Sequence, residues 1–512
     1  MYSKIDIWQN RTARLLFILM CCFMPLYLDG RRYFSLPVQK WTFFVFSMIL
    51  VTLFVIIIWG RRFTCKPRLT PQDKFDITDW AIIAFALVTL ISTLFSPFRE
   101  VMNIWVGLDG QAGRYDGAIT QLSYVGIFFI ISRWYKPREK DFMWFAIAAI
   151  VISLIGIFQF FGMDFFRLWP NHIPEHRVIN FFYIHIRTTL GNTNTVSVYV
   201  TLTVLFFGFL FIRNPSKYRP LWLIASALSF WMWDIANADS GTIGIAAAML
   251  LCIPFIIQNM KILGRTLILV SSWLGIFSIQ MLFFEVIAIE TRTASTILPF
   301  AGVFVLLLAI GLLLTKYGKE LDPDAPPKWK LGVVLIAAFI IMGLTGVEIL
   351  GRPDAYGYGT GVIYEAREVL HGNIRDEFGT NRIHIWRYAL STFSQFPLIG
   401  SGPDTFPLRF PAEAQWVFTE FYDTAHNEYI QYLIAQGILG LLAYLLFAVS
   451  LIVKSIRKAF SDPIIMAVLA AFAGYLAQAF FNISHPIASQ ILWVFAGILA
   501  SRRLNGQGRP SS

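Results

Sequence analysis

Apolar stretches of roughly 17 to 25 residues recur along the whole of this 512-residue chain, each long enough to cross the hydrocarbon core of a bilayer. Hydrocarbon offers the backbone no hydrogen-bond partner, so unbroken apolar runs of this length are expected to be helices that satisfy their own N–H and C=O groups. Fourteen runs qualify: 13–29, 41–59, 78–96, 118–133, 141–162, 194–212, 219–235, 242–259, 266–289, 295–315, 331–349, 432–453, 463–481 and 487–501. Those at 118–133, 219–235 and 487–501 are short or interrupted, so 12 to 14 transmembrane helices are expected. The fold class is an all-α polytopic membrane protein. Composition agrees, with 56% hydrophobic and only 14% charged residues, where a soluble domain carries about a quarter. The first run lacks a small-residue cleavage site and reads as a member of the bundle.

A net charge of +11 invites a nucleic-acid partner, but its distribution argues against one. With the N-terminus in the cytoplasm and the spans alternating, 27 of the 42 Lys and Arg residues fall on the cytoplasmic side, at least two in every loop. That is the positive-inside pattern of a membrane protein, with both termini cytoplasmic. The four cysteines have no metal-ligand spacing and form no external pair, so they read as inert packing residues.

Three segments on the far side are long enough to hold a site: 97–117, 163–193 and about 350–431. The last divides the chain into spans one to eleven (1–349), a large external loop (350–431), and the final three spans with a cytoplasmic tail (432–512). About eighty residues without a span exceed an ordinary connection and suggest a functional subdomain. Within it, Arg382 to Leu390 reads as an amphipathic helix with Ile383, Trp386 and Leu390 on one face. The turn-rich Pro397–Phe406 must break that helix, and a second short helix is expected at 411–421. Six arginines against ten acids make the loop net acidic, so a cation there stands out from its field.

His426 is the leading catalytic candidate. It opens the helix that re-enters the membrane, an ordinary imidazole suits a general base near neutral pH, and Asn427 and Glu428 adjoin it as orienting partners. Gly437 and Gly440, three apart, leave a helix face bare for close approach. Arg382 is the leading anion clamp, because a guanidinium binds phosphate bidentately and stays charged; its alternative partner is Asp376 or Glu377. Arg387, Arg187 and Arg114 are further pyrophosphate-binding candidates, and Asn192 and Asn194 can cap the helix after Arg187. His172 and His176 have metal-like spacing, but Pro174 breaks the helix between them and no acidic or cysteine cluster joins them with His185, so no metal is expected. Asp234, Asp239 and Ser240 lie at the outer end of span seven, where an acid near membrane depth is a functional candidate. No nucleotide or dinucleotide fingerprint appears and no cofactor is expected, so the energy of any reaction must come with its substrate.

Taken together, Arg382-x3-Trp386, Pro397-Leu398-Ile399-Gly400-x-Gly402-Pro403-x-Thr405-Phe406 and His426-Asn427-x9-Gly437-x2-Gly440 resemble the O-antigen ligase and polymerase superfamily. Arg187-x3-Gly191-Asn192-x-Asn194 and Gly113-Arg114-x-Asp116-Gly117 are similar to earlier segments of that family, and the resemblance spans roughly 100 to 450. It implies a GT-C-like architecture in the bacterial cytoplasmic membrane. It also implies transfer of a glycan from undecaprenyl pyrophosphate to an acceptor glycan, lipid or protein on the outer face, without metal. His426 would be the catalytic histidine and Arg382 the loop arginine. The chain departs from the family in having Ser240-Gly241 where a Ser-Arg pair is usual, and spans nine and ten look like an insertion. A transporter of a small anion is the alternative reading, although it calls for polar, broken helices at mid-membrane rather than ionisable groups at the outer rim.

Overall fold

The computed structural model describes residues 2–501 apart from 31–34, 65–73, 108–113, 162, 169–187, 237–238, 287–293, 320–327, 354–358, 360 and 410–421. All regular structure among the described residues is helical. In chain order the helices are α1 Tyr2–Ile18, α2 Leu36–Thr64, α3 Ile77–Leu94, α4 Ala118–Trp134, α5 Glu139–Phe160, α6 Thr193–Arg213, α7 Arg219–Ala236 and α8 Asp239–Leu251. There follow α9 Met260–Val286, α10 Ala294–Tyr317, α11 Trp329–Leu350, α12 Val362–Leu370, α13 Arg382–Thr392, α14 Glu428–Ile456, α15 Pro463–Gln478 and α16 Gln490–Leu499. Each expected span holds a helix, and eight helices are long and apolar enough to cross a membrane. The chain is therefore an all-α, multi-pass membrane protein.

The first span differs from expectation in shape. Its helix begins at Tyr2, widens into a π-turn over Leu19–Phe23 and stops just after Pro25. The freed carbonyls are not left bare: Lys40 Nζ donates to Met24 O and Pro25 O (2.8 and 2.9 Å), and Thr189 Oγ1 donates to Pro25 O (2.6 Å). A buried ammonium thus does the work of a helix C-cap.

α6 lies at the centre, packed by α7, α8 and α15, and its whole span is buried. Serine and threonine on it bond to their own helix or to neighbours, as Thr201 Oγ1 does to Gln478 Oε1 at 3.0 Å, so they cost little inside the bundle. α11, just as apolar, buries only Gly332, which sits against Pro254, and otherwise touches little but the short turn of helix at Ile253–Ile256 and α12. The α9–α10 hairpin packs chiefly on itself, through Gly264 and Gly311.

The bundle has two polar ends. At one, cations pair with acids one to one: Arg14 with Asp141 (2.7 Å), Arg133 with Asp79 (2.8 Å) and Lys454 with Asp76 (2.6 Å). The other gathers the described residues of the 95–117 loop and of the 351–427 segment, the start of α6 and the α15–α16 turn.

Candidate active site at the loop-bearing end

α14 starts cleanly because Asn427 caps it, its side chain accepting from the Tyr429 and Ile430 amides at 3.0 and 3.1 Å, a cap worth about 1 kcal/mol. The helix then breaks at Gly437, whose φ is +68°. The expected bare face for a neighbouring helix is not what the glycine provides. A Cβ there would lie 2.3 Å from the Leu398 carbonyl oxygen, because the Pro397–Gly402 segment docks into the break. The freed groups are all met: Ser401 N donates to Ile434 O, Gly402 N to Ala435 O, Ile438 N to Pro397 O and Leu439 N to Leu398 O, over 2.9 to 3.2 Å. From α3, Ser92 Oγ donates to Ala435 O (2.7 Å) and Ser96 Oγ to Ser401 O (2.5 Å). Gly440 faces Gln436 of the same helix and Val88 of α3. The Pro397–Gly402 segment and Gly437 thus form a joint that fixes the external segment to a transmembrane helix.

α13 runs from Arg382 to Thr392, but its buried face is Ile385, Ala389 and Thr392, not Ile383 and Leu390. Ile385 and Ala389 join Phe406, Tyr422, Ala425 and Ile434 in a small core of their own, while Leu390 is exposed. Trp386 flanks this core; its Nε1 donates to Ala425 O at 2.9 Å, and its ring lies 5.8 Å from that of Phe481. α13 is thereby pinned above the residue that precedes His426.

His426 sits at φ +48°, a conformation unfavourable for a side-chain-bearing residue. Its ring is partly buried, and Nδ1 is sealed with no hydrogen-bond partner among the described residues. Two guanidiniums act on it. Burial, followed by the charges of Arg114 and Arg382, pushes its pKa down to about 4, opposed by Asp423. Arg114 is held in a fork by Asp423, with Nε to Oδ2 at 2.7 Å and Nη2 to Oδ1 at 3.1 Å. Arg382 is fixed by the backbone, its Nη1 donating to Gly379 O (2.7 Å) and Thr380 Oγ1 (3.2 Å). The imidazole is therefore neutral at pH 7, held so first by burial and then by the two guanidiniums.

The other expected residues separate. Asn427 and Glu428 do not orient the imidazole: Asn427 is spent on capping, and Glu428 accepts from the hydroxyls of Tyr432, Tyr444 and Tyr475 at 3.1, 3.1 and 2.8 Å. Asp376 takes Arg387 (2.8 Å) and His384 (3.5 Å), which turns Arg387 outward into solvent. Asn192 caps α6, accepting from Asn194 N at 2.7 Å. Arg187, His172, His176, His185 and the 411–421 segment lie outside the described residues. Gly241 has no room for the family's usual arginine, since a Cβ would lie 2.7 Å from Trp233.

One element at this end of the bundle escaped the sequence reading. The turn between α15 and α16 carries Asn482-Ile483-Ser484-His485-Pro486, and His485 is brought close enough to Arg114 for that charge to act on it. Burial and then Arg114 push its pKa down to about 3. The available signal was a run of polar residues, with a histidine and a proline, between two short apolar spans.

The chain is a helical multi-pass membrane protein in which Arg114 and Arg382 act on the His426 imidazole at one polar end. Residues 282–445 match the family model described as O-antigen ligase, and this match supports the O-antigen ligase and polymerase superfamily for the chain. The family indicates a ligase- or polymerase-type glycosyltransferase in polysaccharide biosynthesis. The matched segment covers just under a third of the chain and holds Arg382 and His426, whereas Arg114 and His485 lie outside it. No curated protein matches the chain.

Proposed function

We propose that this protein transfers a glycan from undecaprenyl pyrophosphate to an acceptor hydroxyl on the outer face of the bacterial cytoplasmic membrane. The observation that carries the reading is His426, neutral and strained in backbone, set between Arg114 and Arg382. In this mechanism the two guanidiniums hold the pyrophosphate of the donor. His426 takes the proton of the acceptor hydroxyl on its open edge. The oxygen lone pair forms a bond to the anomeric carbon from the face opposite the departing group, and the anomeric C–O bond breaks with its electrons leaving on the pyrophosphate. Configuration is inverted, and no metal or nucleotide is required.

The electrostatics couple the two halves. The cations that weaken the imidazole as a base in the empty site are the ones an anionic donor neutralises. Donor binding therefore raises the basicity of His426 where the base is needed, and hydroxyl activation waits for a loaded site. Arg114 takes the place of the family arginine absent at Gly241.

The test is transfer by the full-length protein in lipid nanodiscs, with undecaprenyl-pyrophosphate-linked oligosaccharide as donor. His426→Ala is expected to abolish transfer while the protein remains folded in the membrane; near-normal transfer would overturn the assignment. Loss of the gene is expected to cause lipid-linked glycan to accumulate, whereas a change in anion uptake alone would favour a transporter.

A further inference from the structure

We propose that His485 is a second working imidazole of this site, donating a hydrogen bond from Nε2 to the phosphate-bearing group held by Arg114. The inference rests on the reading of the site given above and extends it to a part of the chain that the family match does not reach.

The Ile487 amide donates to His485 Nδ1 (3.3 Å), so that nitrogen is the acceptor of the ring and the proton of the neutral imidazole resides on Nε2. Among the described residues Nε2 has no protein partner. A buried histidine, only 4% exposed, that commits one nitrogen to its own turn and leaves an N–H over has the form of a ligand-directed donor.

The turn itself is anchored from every side. His485 N donates to Ser489 Oγ (3.0 Å), the Ser489 hydroxyl donates to Tyr475 Oη (3.0 Å), and Tyr475 OH donates to Glu428 Oε2 (2.8 Å). Glu428 is two residues from His426, so a short chain of hydrogen bonds ties the positions of the two histidines together. Asn482 Nδ2 fastens the other end of the turn to Asn194 O and Ser240 Oγ, both at 3.1 Å. Trp386 covers both strands, bonded to Ala425 O and set against Phe481. Arg114 acts electrostatically on both imidazoles. A neutral N–H within reach of that guanidinium's field suits a phosphate oxygen, because it adds a directional donor where a further cation would be repelled.

The bland alternative is that His485 merely closes its turn, and two substitutions separate the cases. His485→Asn places an amide oxygen where Nδ1 accepts from the Ile487 amide, but has nothing at the distal position. His485→Gln loses that turn contact yet carries an N–H out to the position of Nε2. The probe is undecaprenyl pyrophosphate, with inorganic pyrophosphate in parallel, titrated against the full-length protein in nanodiscs; transfer kinetics are measured on the same preparations. The expected result is that His485→Asn weakens lipid pyrophosphate binding about ten- to a hundredfold, the worth of one hydrogen bond to a charged group, while His485→Gln stays within a few-fold of wild type. The reverse order, with His485→Asn at the wild-type level, overturns the inference and makes the residue a turn-former. A wild-type protein that neither binds the lipid pyrophosphate nor transfers glycan overturns the functional reading and this inference with it, and that result is seen before any variant is compared.

Discussion

The two ends of the bundle use the same residue types in opposite ways. At the basic end each cation is spent on an acid: Arg14 forks onto Asp141, which is completely buried and also receives the Tyr135 hydroxyl. At the loop-bearing end Arg114 is oriented by Asp423, yet its field still falls on His426 and His485. Paired charges cancel and hold helices together; charges that are oriented but not cancelled leave a potential for a ligand to use. The lesson is that an ion pair's function is read from what lies beside it, and not from the pair alone.

Substitutions at the two ends should therefore fail differently. The largest effect is expected for His426→Ala, a loss of transfer of about a hundred- to ten-thousandfold for a removed general base, measured as turnover of lipid-linked donor at unchanged membrane yield. Arg382→Ala or Arg114→Ala is expected to lower turnover about a hundred- to thousandfold through lost stabilisation of the departing pyrophosphate. Arg14→Ala at the opposite end is expected to spare turnover but to destabilise the fold by about 3 to 5 kcal/mol, because it strands the buried Asp141 carboxylate; thermal unfolding in detergent checks this. Equal loss of turnover at both ends would erase the contrast.

The pH profile sharpens the same comparison. A proton on His426 is disfavoured by burial and by two cations, so kcat/KM, which reports the free enzyme, is expected to keep its acid limb near pH 4 instead of 6.5. Removing one cation, as in Arg114→Gln, lifts part of that penalty and should move the limb upward. The limb of kcat should also lie higher, since bound pyrophosphate offsets the cations. The smallest effect is expected for Arg387→Ala: its partner is Asp376 and its side chain is 62% exposed, so transfer should change no more than a few-fold, as for surface pairs generally.

Much of the fold was legible in the chain. Hydropathic runs marked every helix of the bundle, Asn192 announced one helix start, and Pro397–Phe406 announced a break, because these are properties of a residue and its immediate neighbours. The site was legible only in part. His426 and Arg382 lie on recognisable motifs, whereas the choice of Arg114 over Arg387 depended on which carboxylate reached each guanidinium first. The glycines at 437 and 440 were noticed, but their purpose was misread: periodicity along one helix cannot show that a segment forty residues earlier enters the break.

What the sequence determined by itself is therefore the inventory: a helical membrane bundle, its basic loops, and a histidine and an arginine on a long connecting segment. The tertiary structure decided the placement. α6 and α11 have mean hydropathies of 2.2 and 2.5, yet one is enclosed from Thr195 to Arg213 and the other buries only Gly332. Hydropathy records how a helix prefers hydrocarbon to water, and lipid and protein interior satisfy that preference equally well. In the same way, nothing local to residues 114, 426 or 485 specifies that they meet. Their gathering at one end follows from the packing of α4 on α16 and α3, of α14 on α3, and of α15 on α16, and packing is a property of surfaces brought together from distant parts of the chain.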